Sequence, residues 1–261
     1  MKKTFIGLMA MASLMCAGQA SADLVSALSG YSGPLYFDLS GYSKSADTGG
    51  ETWGVITVNG VFKDQAQTVA NRLWASVVGD EIYGTFYGLT DKYVTPTPTG
   101  FSIGQKGGGF TLYGVTAGVD LLQGTAGRIG VDGYNGMGAN VLFKGTFDGG
   151  VDPLDAIVTV VQTVLDNKSP TSGEGVGYGS VASGSLYNTL NSNSIIDSSG
   201  GQHDLSFSFN VLLPTDAAIE VGWSQSLTDP LSANAVPEPA TMLLFGSGLI
   251  GLAFAGRKIR K

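Results

Sequence analysis

Between residues 35 and 224 the chain alternates short apolar runs with clusters of glycine, proline and Asx residues. That is the punctuation of β-strands joined by tight turns. The runs at 35–39, 53–61, 72–78, 82–89, 110–121, 139–146, 157–165, 176–190, 205–213 and 219–224 predict ten strands. Leu205, Phe207, Phe209 and Val211 alternate with Ser206, Ser208 and Asn210, so one face is apolar and the other polar. Strands this short with hairpin-length gaps predict an all-β domain, an antiparallel β-sandwich of jelly-roll-like character.

Three segments interrupt the pattern. Asp152-Pro153 has the form of a helix start, which offers a helix over 152–166 as an alternative. Val158, Val160, Val161 and Val164 are β-branched, however, and favour a strand there. The run Thr95-Pro96-Thr97-Pro98-Thr99-Gly100 reads as a stiff loop within the domain, and residues 226–235 as a tether following it.

Composition narrows the class. Only 13% of residues are charged, and 40 of the 261 are glycine, the balance of an extracellular β-protein rather than a cytoplasmic enzyme. Val, Ile, Leu, Phe and Tyr are plentiful enough to exclude a disordered chain. The one cysteine, Cys16, lies near the N-terminus, which leaves the domain without disulfides, thiol nucleophiles or thiolate metal sites. Residues 23–236 hold 8 Lys and Arg against 20 Asp and Glu, an excess of twelve negative charges. Such a domain is repelled by nucleic-acid backbones and anionic lipid.

The basic residues missing from the middle sit at the ends. Lys2 and Lys3 precede an apolar stretch over 5–17 and a small-residue cleavage site, Ala20-Ser21-Ala22. Residues 1–22 therefore read as a signal peptide for the Sec translocon, cut after Ala22. The apolar stretch reaches only about 20 Å as a helix, too short to span a bilayer. At the other end Val236, Pro237, Glu238 and Pro239 form a stiff extended motif. The uncharged stretch 240–256 follows, with a basic stop of Arg257, Lys258, Arg260 and Lys261. Its seventeen residues span about 25 Å and predict a single transmembrane helix with a cytoplasmic tail.

In this order, motif, apolar helix and basic cluster resemble the PEP-CTERM sorting signal. The resemblance covers residues 236–261, and the ectodomains of such proteins differ widely. It implies recognition by exosortase, a membrane-embedded protease-transpeptidase that cuts near Pro237-Glu238-Pro239. It also implies an inner-membrane-anchored precursor in a Gram-negative-type bacterium, delivered to the cell surface or extracellular matrix. The expected organisation is signal peptide 1–22, ectodomain 23–225, linker 226–235 and sorting signal 236–261.

Catalytic candidates are few. Gly246-Ser247-Gly248-Leu249-Ile250-Gly251 fits a dinucleotide fingerprint but lies inside the apolar tail with no βαβ unit around it. His203 is the single histidine; Asp204 beside it on a strand would point to the opposite face, so a Ser-His-Asp relay is not expected. Asp148, Asp152 and Asp155, and separately Asp132 with Asn135, offer oxygen ligands for calcium, although Asp and Asn serve turns equally well. Tyr83, Phe86, Tyr87, Tyr93 and Tyr113, with Trp53, Trp74 and Trp223, offer either a sugar-binding platform or core. The expectation is a non-enzymatic surface or matrix protein without a cofactor, acting in biofilm or floc formation. An exopolysaccharide-binding module is the alternative, and a secreted hydrolase a weaker one.

Overall fold

A computed structural model describes residues 22–45, 51–115, 118–122, 125, 140–165, 172–228 and 231–235. In chain order the strands are β1 (Gly33–Lys44), β2 (Glu51–Phe62), β3 (Arg72–Ala75), β4 (Glu81–Thr97), β5 (Gly100–Val115), β6 (Val141–Asp148) and β7 (Val158–Leu165). They continue with β8 (Gly173–Ser183), β9 (Ile195–Ile196), β10 (Gln202–His203), β11 (Leu205–Leu212), β12 (Gln225–Thr228) and β13 (Leu231–Ala235). Among the described residues three short α-helices accompany them: α1 (Ala22–Leu28), α2 (Tyr187–Leu190) and α3 (Asp216–Glu220).

The all-β antiparallel expectation holds, but two stacked sheets give way to one sheet that returns to its start. Each of β1, β2, β4, β5, β6, β8, β11 and β13 pairs antiparallel with the next, and β13 pairs back to β1. A ring of about eight strands has an interior just wide enough for side chains or one small ligand. At one end of the ring β6 and β13 occupy their places; towards the other, β7 takes over between β5 and β8, and β12 between β11 and β1.

The seam of the ring is the segment expected to be a tether. Residues 225–228 and 231–235 lie between β1 and β11 and pair with both. Were they a linker, β1 and β11 would present open edges; their insertion removes both. Inward Leu231 and Ala233 are buried while Ser232 and Asn234 are half-buried, a two-residue period too brief to stand out in the sequence.

Other expectations need smaller corrections. The run 95–100 is the tip of a long hairpin, closed between Thr97 and Gly100. Among the described residues β4 has no partner on its other side beyond Thr90, so Pro96 costs the ladder nothing there. Residues 216–220 form α3 rather than a strand; the Thr215 side chain accepts from the Ala218 amide and Asp216 sits in the first turn. The predicted strand 176–190 stops at Ser183 and ends in α2. Residues 158–165 are a strand, as the valines predict.

Glycines on β8 make the interior possible. Gly173, Gly175, Gly177 and Gly179 all face β7 or β11 partners on one side of the strand. A Cβ at Gly179 would stand 2.9 Å from the Phe110 ring and 3.0 Å from Phe207. The missing side chains admit a ladder of rings: Phe37 on Phe143, Phe143 on Phe110, and Phe110 on Phe147 and Phe207, with centroids 5.3–6.2 Å apart. At the Gly33 end, Leu24 and Leu28 of α1 join Leu35, Leu186, Leu190 and Leu205 in the same core, closing that end. Outside the ring, Trp53, Val55, Val115, Val119, Ala218 and Trp223 form a second, smaller core beneath α3.

Candidate functional site

The positions of the two chain ends follow from strand register. Gly33, the first residue of β1, pairs with Ala235, the last of β13. α1 packs against β3, which pairs with the same end of β2. Ala22, the predicted cleavage residue and the first of α1, therefore lies at the same end of the barrel as Ala235. Leu24 and Leu28 are fully buried only two and six residues past that cut. At the C-terminal side, no spacer separates the closing strand from Val236. Ala20, Val236, Pro237, Glu238, Pro239, the predicted transmembrane stretch 240–256 and the basic residues Arg257, Lys258, Arg260 and Lys261 lie outside the described residues. Among the described residues no helix is long and apolar enough to cross a membrane.

His203 is buried, exposing 5% of its surface, on the two-residue hairpin of β9 and β10. Its Nδ1 lies 3.0 Å from Asp148 Oδ2 and its Nε2 3.0 Å from Asp197 Oδ2. The Tyr178 ring stacks on the imidazole at 4.6 Å and 8°. Flanked by two carboxylates, the ring is favoured in its protonated form, in which both nitrogens donate. Burial opposes that charge and is the largest single influence, but hydrogen bonds and charge from Asp148 and Asp197 together outweigh it, and the His203 pKa is raised. Asp197 is held well below the usual carboxylate range, chiefly by the His203 hydrogen bond, then by the Ser199 hydroxyl and the amides of Gly201 and Ser199.

This arrangement does not suit general-base catalysis. A relay needs one ring nitrogen free to face a nucleophile. Here the nearby hydroxyls, Ser180 and Ser199, donate to the carboxylates instead of meeting the ring. The His203 ring ties the 195–203 hairpin to β6. As expected, Asp204 does not orient His203; it accepts from the amides of Val181 and Asn193. The partners the sequence left unnamed lie 55 and 6 residues away, and only the fold brings Asp148 alongside.

The proposed calcium ligands are dispersed. Asp148 serves His203 and Ser180. Asp152 accepts from the Leu154 amide and the Tyr93 hydroxyl, which lower its pKa in that order, while burial and Asp152 push Tyr93 up to about 12. Asp155 caps Ile157 and faces Lys92 at 3.8 Å. No group of three or more metal-binding side chains occurs among the described residues; Asp132 and Asn135 lie outside them. The aromatic platform is also taken up by packing. Trp53, Trp74 and Trp223 are buried, and Tyr83, Tyr87 and Tyr113 pack on the outer core, leaving Phe86 in the barrel interior and Tyr93 half-buried on the long hairpin.

The PEP-CTERM protein-sorting motif matches residues 235–261. Its first residue is the last of β13, so the motif begins where the barrel ends. It marks the chain as an exported protein sorted by exosortase from a membrane-anchored precursor. No curated protein and no solved structure matches the chain.

Proposed function

We propose that the chain is a non-enzymatic surface or extracellular-matrix protein of a Gram-negative-type bacterium, released by exosortase near Pro237-Glu238-Pro239 and acting in biofilm or floc formation. The sorting motif at 235–261, abutting a closed barrel, carries this reading. The leader passes the Sec translocon and is cut after Ala22, leaving Leu24 and Leu28 to plug the barrel. With both processing points at one end, the barrel stands on the membrane by that end and its far end points outward. Release then needs a cut within the sorting motif rather than unfolding of the domain. Twelve excess acidic residues over 23–236 keep the released domain off anionic membranes.

Mass spectrometry of the protein from envelope and medium tests this. The expected C-terminus lies within a few residues of Glu238 in wild-type cells, and the full tail remains in cells lacking exosortase. An intact tail in the released wild-type protein, or the same trimmed product without exosortase, overturns the proposal.

A further inference from the structure

The interior of the barrel is full at the Gly33 end and hollow towards the other. A cavity of about 90 Å³ remains there, walled by Leu39, Ile56, Phe86, Leu89, Val160 and Phe209 among others and floored by Phe110. Every station of the ring except β8 contributes a lining residue, because β8 turns glycines inward there. Among the described residues that line it, none is charged.

Four buried polar side chains interrupt this apolar wall near its outer end: Ser43, Thr52, Gln105 and Gln162. Three are satisfied within the protein. Ser43 donates to Gln225 Oε1 at 3.0 Å, and Gln105 Nε2 reaches Thr52 Oγ1 at 3.1 Å and Asp91 Oδ1 at 3.0 Å. Gln162 is the exception. It exposes 7% of its surface, and its Nε2 has no hydrogen-bond partner among the described residues. β7 carries Val158, Val160 and Gln162 on its inward face, so an aliphatic residue would continue the wall at no polar cost. A buried amide without a partner carries a desolvation cost, which a ligand acceptor recovers on binding.

We infer that the outer half of the barrel binds a small uncharged molecule, an alkyl chain of a few carbons bearing a carbonyl or ether oxygen that accepts from Gln162 Nε2. Volume sets the length: a dry cavity of about 150 Å³ takes a benzene ring, and this smaller one takes a propyl-sized tail beyond a carbonyl held at Gln162 near its outer end. Charge sets the class. An anion would lose its hydration against an uncharged wall, with the Asp91 carboxylate one hydrogen bond behind Gln105. A cation finds no carboxylate among the lining residues. The inference is independent of how the chain is sorted.

Protein recovered without detergent from envelope or medium is titrated with 2-pentanone and with pentanoate, following side-chain amide signals by NMR. The ketone is expected to bind with millimolar Kd and shift the Gln162 amide, with pentanoate at least tenfold weaker at pH 7. Gln162→Leu is expected to weaken the ketone about fivefold, the worth of one neutral hydrogen bond, without loss of the folded spectrum. Val160→Phe fills the cavity and is expected to abolish binding. The inference is overturned if 2-pentanone does not bind, if Gln162→Leu binds it as tightly as wild type, if pentanoate binds equally well, or if a folded Val160→Phe variant still binds.

Discussion

The two halves of the barrel share strands, hydrogen-bonding pattern and closure, yet one is a core and the other a pocket. At the Gly33 end Phe37, Phe143, Leu35, Leu142 and Leu205 are buried to within 1% of their surface, and α1 covers them. At the other end the inward positions of β1, β2, β5 and β7 pass to Ser43, Thr52, Gln105 and Gln162, and among the described residues no helix covers them. Closure of the sheet therefore does not decide whether a barrel is filled; side-chain volume and polarity at successive inward positions do.

The sharpest way to break this contrast is to remove one large side chain from each half. Phe143 stacks edge-on to both Phe37 and Phe110 and is fully buried, so Phe143→Ala leaves a void that fixed neighbours cannot fill. A loss of about 3–5 kcal/mol is expected in chemical denaturation. Leu227 already borders a cavity. Leu227→Ala enlarges that space rather than opening a new one, and the expected loss is below about 2 kcal/mol. Equal losses would mean that the outer half is packed as tightly as the inner.

Removing His203 tests the clamp on the barrel flank. His203→Ala leaves Asp148 and Asp197 facing each other without a cation, at an expected cost of about 3 kcal/mol. The pH dependence has two limbs. The His203 pKa is raised in the folded protein, so its contribution is complete below about pH 6.5, the ordinary histidine value, and fades as pH rises through the raised one. The Asp197 pKa is lowered, so its contribution is complete above about pH 4 and fades as pH falls. The stability difference between wild type and His203→Ala is expected to be greatest near pH 5 and to shrink on either side. A difference that keeps growing to pH 9 would show an uncharged ring.

Much of this was readable from the chain alone, for a physical reason. The inward positions 205, 207, 209 and 211 alternate with serine and asparagine because one face of β11 meets water. The valines of β7 outweighed Asp152-Pro153 because β-branched side chains pack across a pleated surface. The seam was not readable. β12 and β13 have four and five residues and are separated by Asp229-Pro230, so their strand character comes from pairing with β1 and β11, which lie about 160 residues apart in the chain, and not from their own pattern. Closure was lost with it, since a sheet without its seam reads as a sandwich. The His203 clamp was hidden for the same reason, because Asp148 reaches it only when β6 and β8 pair. The sorting signal was readable because its parts act in sequence order along one continuous segment.

The smallest effect discriminates most finely, because it adds a single methyl group to each half. At Gly145 a new Cβ would stand 2.1 Å from the Ser180 carbonyl oxygen and 2.6 Å from the Phe110 ring. The carbonyl belongs to a paired strand and cannot withdraw without breaking register, so Gly145→Ala is expected to cost about 1–3 kcal/mol. At Gly175 the Cβ would also come within 2.1 Å of its neighbour, but that neighbour is the far edge of the Phe209 ring. Phe209 lines the cavity and can swing into it. Gly175→Ala is therefore expected to cost less than about 1 kcal/mol while narrowing the space available to 2-pentanone. Two glycines with the same nominal overlap would then differ in stability because one faces backbone in the filled half and the other faces a side chain with somewhere to go. If denaturation gave both the same cost, Phe209 would be as tightly held as the core, and the outer half could not be called a pocket.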